Sequence, residues 1–261
     1  MNLDLKGKIV MVTGGSRGIG LACARAFLAE GGRVAIVSRS RVNLDGAMQN
    51  LAAPKEDLIA VSCDLTARTA ATAMATEVEQ RLGPVDVLVN SAGAAKRYLP
   101  EELNEEAWHA AMDAKYFTYL HAMEAVLPAM AMRGQGAVVN IIGMGGKVAT
   151  PIHLPGGAAN SALMLTTVGL ASVYGPKGVR INAINPGSTM TDRVREALKL
   201  EAKKRGQSED EVLAQLQAKV PLKRYADPED IANLTLFLAS NKASYITGAI
   251  VPMDGGLNPV L

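Results

Sequence analysis

Thr13-Gly14-Gly15-Ser16-Arg17-Gly18-Ile19-Gly20 closes the apolar run Lys8–Thr13 and leads straight into the helical stretch Ile19–Glu30. Glycines so placed let a strand turn sharply into a helix, bring the backbone close to a pyrophosphate, and present helix N-terminal N–H groups to an anion. Outward from this turn, β-branched apolar runs recur at Arg33–Ser38, Leu58–Ser62, Val85–Asn90, Ala137–Ile142, Val179–Asn185 and Ala249–Pro252. Between them lie segments of helical length and composition: Thr66–Leu82, Asn104–Arg133, Gly156–Tyr174 and Pro228–Leu238. The alternation predicts a doubly wound α/β domain over residues 1–261, a seven-stranded parallel sheet with helices on both faces. Thr191–Val220 stands apart as a small helical lid, split at Arg205-Gly206-Gln207-Ser208, with Ser208 and Glu211 spaced as a capping box. Its cations Lys199, Lys203, Lys204 and Arg205 are balanced by Glu196, Glu201, Glu209, Asp210 and Glu211 and read as a solvated surface.

The 261 residues carry 27 Lys plus Arg against 25 Asp plus Glu, a net charge of +2, which argues against a nucleic-acid or anionic-membrane surface. With three His, two Cys and six Tyr, few side chains can do acid–base or metal chemistry near neutral pH. Cys23 and Cys63 sit apart in apolar stretches and read as free thiols in a reducing cytosol, with no metal or disulfide motif. No secretory signal is visible at the N-terminus, so a cytoplasmic location is expected. Val148–Pro176 lacks Asp, Glu, Lys and Arg, but Pro151, Pro155, Asn160 and several Gly and Thr make it a helix buried in protein rather than in lipid.

With the ordered set Asp64-Leu65, Asn90-Ser91-Ala92-Gly93, Asn185-Pro186-Gly187 and Asp254-Gly255-Gly256 following the glycine turn, the chain resembles the short-chain dehydrogenases/reductases essentially from end to end. The resemblance implies a Rossmann-type domain in which Gly14, Ser16, Gly18, Ile19 and Gly20 cradle a dinucleotide. It also implies that Asp64 and Leu65 meet the adenine, that Asn90, Ala92 and Gly93 line the cofactor, and that Pro186, Gly187, Thr189 and Thr191 approach its nicotinamide end. At the close of the second strand, where an NAD-selective site places an acid for the ribose 2′-OH, stand Ser38 and Arg39. Arg39 together with Arg17 suits a 2′-phosphate, so the expected cofactor is NADP(H).

Relatives of this kind catalyse hydride transfer with a Tyr acid/base, a Lys four residues later, a Ser and an Asn. Here Gly143 matches the Ser, Gly156 the Tyr, Asn160 the Lys and Lys115 the Asn. No Tyr in the chain is followed by Lys at that spacing. Lys115 and His153 fall where the resemblance puts catalytic groups and are the expected catalysts, since each can carry a proton near an oxyanion. Lys147, Lys96 and Tyr98 are reserve candidates on flanking loops, and His109 and His121 read as surface or interface residues.

The leading expectation is an NADP(H)-dependent oxidoreductase acting on a small carbonyl or alcohol through a rebuilt site. The alternative is a cofactor-binding, non-redox member of the fold: a lyase, or an NADP-sensing pseudoenzyme. Apolar residues on the helices at 104–133 and 156–174 point to self-association, and the resemblance implies a homodimer or homotetramer built through them.

Overall fold

The computed structural model describes residues 2–93 and 96–258; Met1 and 259–261, at the ends of the expected 1–261 domain, lie outside them. Seven parallel strands, β1 (Ile9–Thr13), β2 (Arg33–Ser38), β3 (Leu58–Ser62), β4 (Val87–Asn90), β5 (Gly136–Ile141), β6 (Val179–Pro186) and β7 (Ile250–Met253), form one sheet in the order β3-β2-β1-β4-β5-β6-β7. Alternate residues feed opposite cores. Met11, Ala35, Val37 and Leu88 join one hydrophobic cluster, and Val10, Val12, Val34, Ile36 and Val89 the other. A sheet buried on both faces needs helices on both, and α1 (Gly18–Ala29) packs with α9 (Pro228–Ala239) on one face while α3 (Arg68–Leu82) packs with α5 (Thr118–Arg133) on the other.

The helix α2 (Arg41–Leu51) was not legible in the sequence, because Asn43, Gly46 and Asn50 break its apolar spacing. It is set by its cap: Ser40 Oγ accepts from Asn43 N at 3.3 Å. The single helix expected over 104–133 is instead α4 (Glu105–Ala111), a π-helical turn at Met112–Phe117, and α5. The helix expected from Gly156 starts earlier, as α6 (Leu154–Tyr174). The lid consists of α7 (Asp192–Arg205) and α8 (Glu209–Gln217), where Ser208 N donates to Glu211 Oε2 at 2.8 Å and Glu211 N donates to Ser208 Oγ at 3.2 Å. No helix among the described residues is long and apolar enough to cross a membrane, and no group of three His, Cys, Asp or Glu there could hold a metal.

The chain reverses its direction of travel across the sheet between β1 and β4. Registration there is tight, with Thr13 opposite both Val37 of β2 and Asn90 of β4, so the C-terminal ends of three strands open at one level. In open α/β sheets this is where a ligand crevice forms.

Candidate active site

A cleft of about 570 Å³ opens at that switch point. Gly14, Ser16, Arg17, Gly18, Ile19, Ser38, Arg39, Asp64, Leu65, Ala92, Gly93 and Thr191 line it, bringing most of the expected cofactor residues together. Glycine is required where the chain passes close to itself. Gly14 has φ +67°, and a Cβ there would sit 2.7 Å from the Ser91 carbonyl oxygen, while a Cβ on Gly20 would overlap the Gly14 carbonyl. Helix α1 carries no side-chain N-cap bond and no acid in its first turn. Its orphan N–H groups and positive dipole end therefore remain available to an anion. Arg17 and Arg39 are exposed on the cleft and form no ion pair among the described residues. Asp64 is held below the usual carboxylate range by bonds from the Thr66 backbone and hydroxyl and by the nearby Arg39. These features fit a phosphorylated dinucleotide: a backbone cradle with no room for side chains, uncapped helix N–H groups, and two unpaired guanidiniums.

Several expected contact residues lie outside the lining of this cleft. Asn90 is fully buried and does not face the cleft: it accepts from Thr13 Oγ1 (3.2 Å) and donates to Asn140 Oδ1 (3.0 Å) and the Tyr119 carbonyl (3.4 Å). Asn140 in turn donates to Thr167 Oγ1 at 3.0 Å, so a buried polar chain crosses β1, β4 and β5 to reach α6. Such a chain fixes strand register because every donor in it has an acceptor. Pro186, Gly187 and Thr189 do not line the cleft either. They end β6, where Gly187 N bonds the Met253 carbonyl at 2.9 Å and Thr189 bridges to Ala226. Gly20 acts from behind, by letting α1 close onto the glycine turn.

The second half of the site gathers at the C-terminal end of β5. Lys115 lies on the π-helical turn, a local geometry common at functional sites, and is 8% exposed. Its Nζ donates to Tyr119 Oη at 2.8 Å and to the Ile141 carbonyl at 3.2 Å, and Tyr119 Oη itself donates to that carbonyl. Burial, reinforced by the charge of Arg193, lowers the Lys115 pKa to about 7. The family spacing, Tyr followed by Lys, does not mark Tyr119, because here the Lys precedes the Tyr by four residues. Burial pushes the Tyr119 phenol upward, so it stays protonated and acts as a brace.

Gly143 and Asn160 face each other, since a Cβ on Gly143 would stand 3.4 Å from Asn160 Nδ2. The His153 ring lies against Gly145, and its Nδ1 is buried without a hydrogen-bond partner among the described residues. Burial, then Arg97, Arg193 and Lys115, depress the His153 pKa, so its imidazole is neutral at pH 7. Of the other histidines, His109 is exposed beside Glu105. His121 binds the Leu65 carbonyl through Nδ1 at 2.9 Å, which steadies a cleft wall rather than forming a free surface. Cys63 lines the cleft as a thiol pushed up to about 11 by burial and by Asp64 and Glu77.

The architecture is thus a Rossmann-type nucleotide fold with its crevice at the switch point. Residues 14–258 match the family described as Enoyl-(Acyl carrier protein) reductase. The chain is 32% identical to 2-(S)-hydroxypropyl-CoM dehydrogenase 3 of Xanthobacter autotrophicus over 100% of both proteins. L-Sorbose reductase from Gluconobacter frateurii, solved with NADPH and L-sorbose, superposes with a TM-score of 0.93 at 28% identity and 100% coverage of both chains. A short-chain oxidoreductase of Pseudomonas aeruginosa PAO1, NADPH-bound and described as containing an atypical catalytic center, gives a TM-score of 0.88 at 31% identity, covering 97% of this chain and 98% of the other. This chain belongs to the short-chain dehydrogenase/reductase family of oxidoreductases.

Proposed function

We propose that residues 1–261 act as one NADP(H)-binding domain that reduces a small carbonyl compound, or oxidises the corresponding alcohol, with Lys115 in place of the family's usual acid/base. The usual Asn, Ser, Tyr and Lys positions hold Lys115, Gly143, Gly156 and Asn160, so the proton must come from elsewhere. The observation that carries this reading is the setting of Lys115: a buried amine with a pKa of about 7 at the end of β5, two of its N–H bonds directed at Tyr119 Oη and the Ile141 carbonyl. An amine so held has one tetrahedral vertex left. In the ammonium form that vertex is an N–H able to protonate a carbonyl oxygen; in the neutral form it is a lone pair able to take the proton from an alcohol. A pKa near the working pH serves both directions.

NADPH, when bound, supplies the hydride. Gly14, Ser16, Gly18, Ile19, Asp64, Leu65, Ala92, Gly93 and Thr191 would hold the dinucleotide, with Arg17, Ser38 and Arg39 at the 2′-phosphate. Lys115 gives its proton to the substrate oxygen as the carbon is reduced. Neutral His153, with Nδ1 buried, offers Nε2 as a hydrogen-bonding group rather than as the acid. Burial first, and then the surrounding cations, disfavour the imidazolium, so in this reading Lys115 rather than His153 is the acid.

Fluorescence titration tests the cofactor assignment: NADPH is expected to bind at least tenfold more tightly than NADH, about 1.4 kcal/mol. Equal affinities would remove the role of Arg17 and Arg39. Turnover across a panel of ketones and aldehydes tests the reaction, and a protein inert to all of them would favour the non-redox alternative.

Self-association through α5 and α6 belongs to the same proposal. Leu165, Val168 and Val173 on α6 are 77%, 43% and 56% exposed, and Trp108 and Phe117 are exposed on the adjoining segment. An apolar face of this kind is most simply covered by a second copy. Light scattering is expected to report a dimer or tetramer for the native chain and a smaller species for Leu165→Glu; a native monomer would refute the assembly.

A further inference from the structure

We infer that the substrate carries an anionic oxygen group, a carboxylate or comparable oxyanion, gripped by Arg97 and Arg193 beside the reacting carbonyl. This deepens the oxidoreductase reading and rests on it for the location of the carbonyl. Tyr98 N donates to the Ile152 carbonyl at 3.1 Å, which straps the loop bearing Arg97 to the short turn Pro151–His153. Arg193 opens α7 and lines the cleft from the lid side. Both guanidiniums are exposed, and neither forms an ion pair among the described residues. Asp192 and Glu196 line the same part of the cleft without pairing to Arg193. Two elements far apart in sequence thus bring arginines that form no ion pair to the neighbourhood of His153, and Arg193 also to that of Lys115.

The electrostatics agree with that placement. Arg193 acts on both Lys115 and His153, Arg97 acts on His153, and no carboxylate offsets them at either group. Asp192 and Glu196 share the cleft wall but leave both guanidiniums unpaired, and a planar guanidinium matches an added carboxylate with two parallel hydrogen bonds. A further consequence concerns the acid itself. Burial is the larger cause of the depressed Lys115 pKa and Arg193 the smaller; an anion seated beside Arg193 offsets the latter, so substrate binding should draw a proton toward the amine before reduction.

Calorimetry on the NADP+-saturated protein tests this without turnover. The probes are straight-chain oxo acids, with ketone and carboxylate separated by one to four carbons, and their methyl esters. At least one acid is expected to bind tenfold or more tightly than its ester. Arg193→Gln and Arg97→Gln should each erase most of that preference while leaving NADPH affinity within twofold. Repeating the titration in buffers of different ionisation enthalpy should show proton uptake with the acid and none with the ester. Esters that bind as well as acids throughout the series would overturn the inference. So would an Arg193→Gln variant that loses NADPH affinity in place of acid preference, since its arginine would then serve the cofactor. Acid-selective binding with no reduction of any ketone would instead sink the oxidoreductase reading and leave the anion site standing.

Discussion

Lys115→Met is expected to cut carbonyl reduction by about 10²–10⁴-fold, the span usual for loss of a general acid, while the NADPH dissociation constant changes by less than twofold. The same substitution should make the fold more stable at neutral pH. Lys115 is buried and its pKa falls from 10.5 in the unfolded chain to about 7 in the folded one. Below pH 7 the amine is charged in both states and the full penalty of burying that charge is felt. Between pH 7 and 10.5 the unfolded chain binds more protons than the folded one, so this group's contribution to stability rises with pH. Methionine removes the penalty and fits the space of the lysine stem, and Tyr119 Oη keeps the Ile141 carbonyl as its acceptor. A lysine retained for structure would give the opposite result. Thermal melts of the two proteins from pH 6 to 10 should therefore converge as pH rises, with the variant ahead at the acid end. A variant that melts lower than the parent at pH 6, or that keeps its activity, would remove Lys115 from the proposed chemistry.

The rate should carry the same signature. Reduction needs the ammonium, so with NADPH and substrate saturating, kcat should fall as pH rises through the Lys115 pKa, and alcohol oxidation should rise over that interval. A bound anionic substrate moves the limb to higher pH. His153→Ala should lower kcat without displacing the limb, since a neutral imidazole donates no titrating proton there. Lys115→Arg tests the point from the other side, because a guanidinium stays protonated and cannot return a proton at neutral pH.

The parallel sheet and the glycine turn were legible because they rest on local rules: short β-branched apolar runs for strands buried on both faces, and glycine where a strand bends into a helix. The strands Arg33–Ser38 and Leu58–Ser62 coincide with the apolar runs read from the sequence. What escaped depends on long-range packing. Asn90 carries a family motif, yet whether its amide meets a ligand or Asn140 is decided by a neighbouring strand 50 residues away. The π-helical turn has no compositional mark. It lies where the helix passes close to Gly93, and Lys115 within it and Tyr119 just after it are both buried. Arg193 belongs to no sequence motif, and only the placement of α7 brings it to the cleft wall.

Gly93→Ala is expected to destabilise the protein by about 2–5 kcal/mol, the sum of a left-handed backbone carrying a Cβ and of overpacking in a closed interface. Gly93 has φ +90°, and a Cβ on it would overlap the Ala114 carbonyl while lying 3.2 Å from Thr118 Oγ1. Neither neighbour can yield cheaply. Ala114 precedes Lys115 on the π-helical turn, and Thr118 Oγ1 already donates to the Lys115 carbonyl at 2.9 Å. Relief must come by moving the turn, which carries the amine off the Ile141 carbonyl, or by moving the Ser91–Gly93 wall of the cleft. The first route costs catalysis and the second costs cofactor affinity, so the two readouts report which part of the site is softer. Because Ser91 N and Ala92 N are held by Thr13 Oγ1 at 3.2 and 3.3 Å, the wall is tied into the sheet and the helical turn is the part free to shift. The melting temperature of Gly93→Ala should therefore drop by about 4–20 °C, on a scale of about 2–4 °C per kcal/mol for a domain of this size. In the folded fraction kcat should fall by tenfold or more while NADPH still binds. An alanine variant with parental stability and turnover would mean that the close approach of Gly93 to the turn does not hold Lys115 in place.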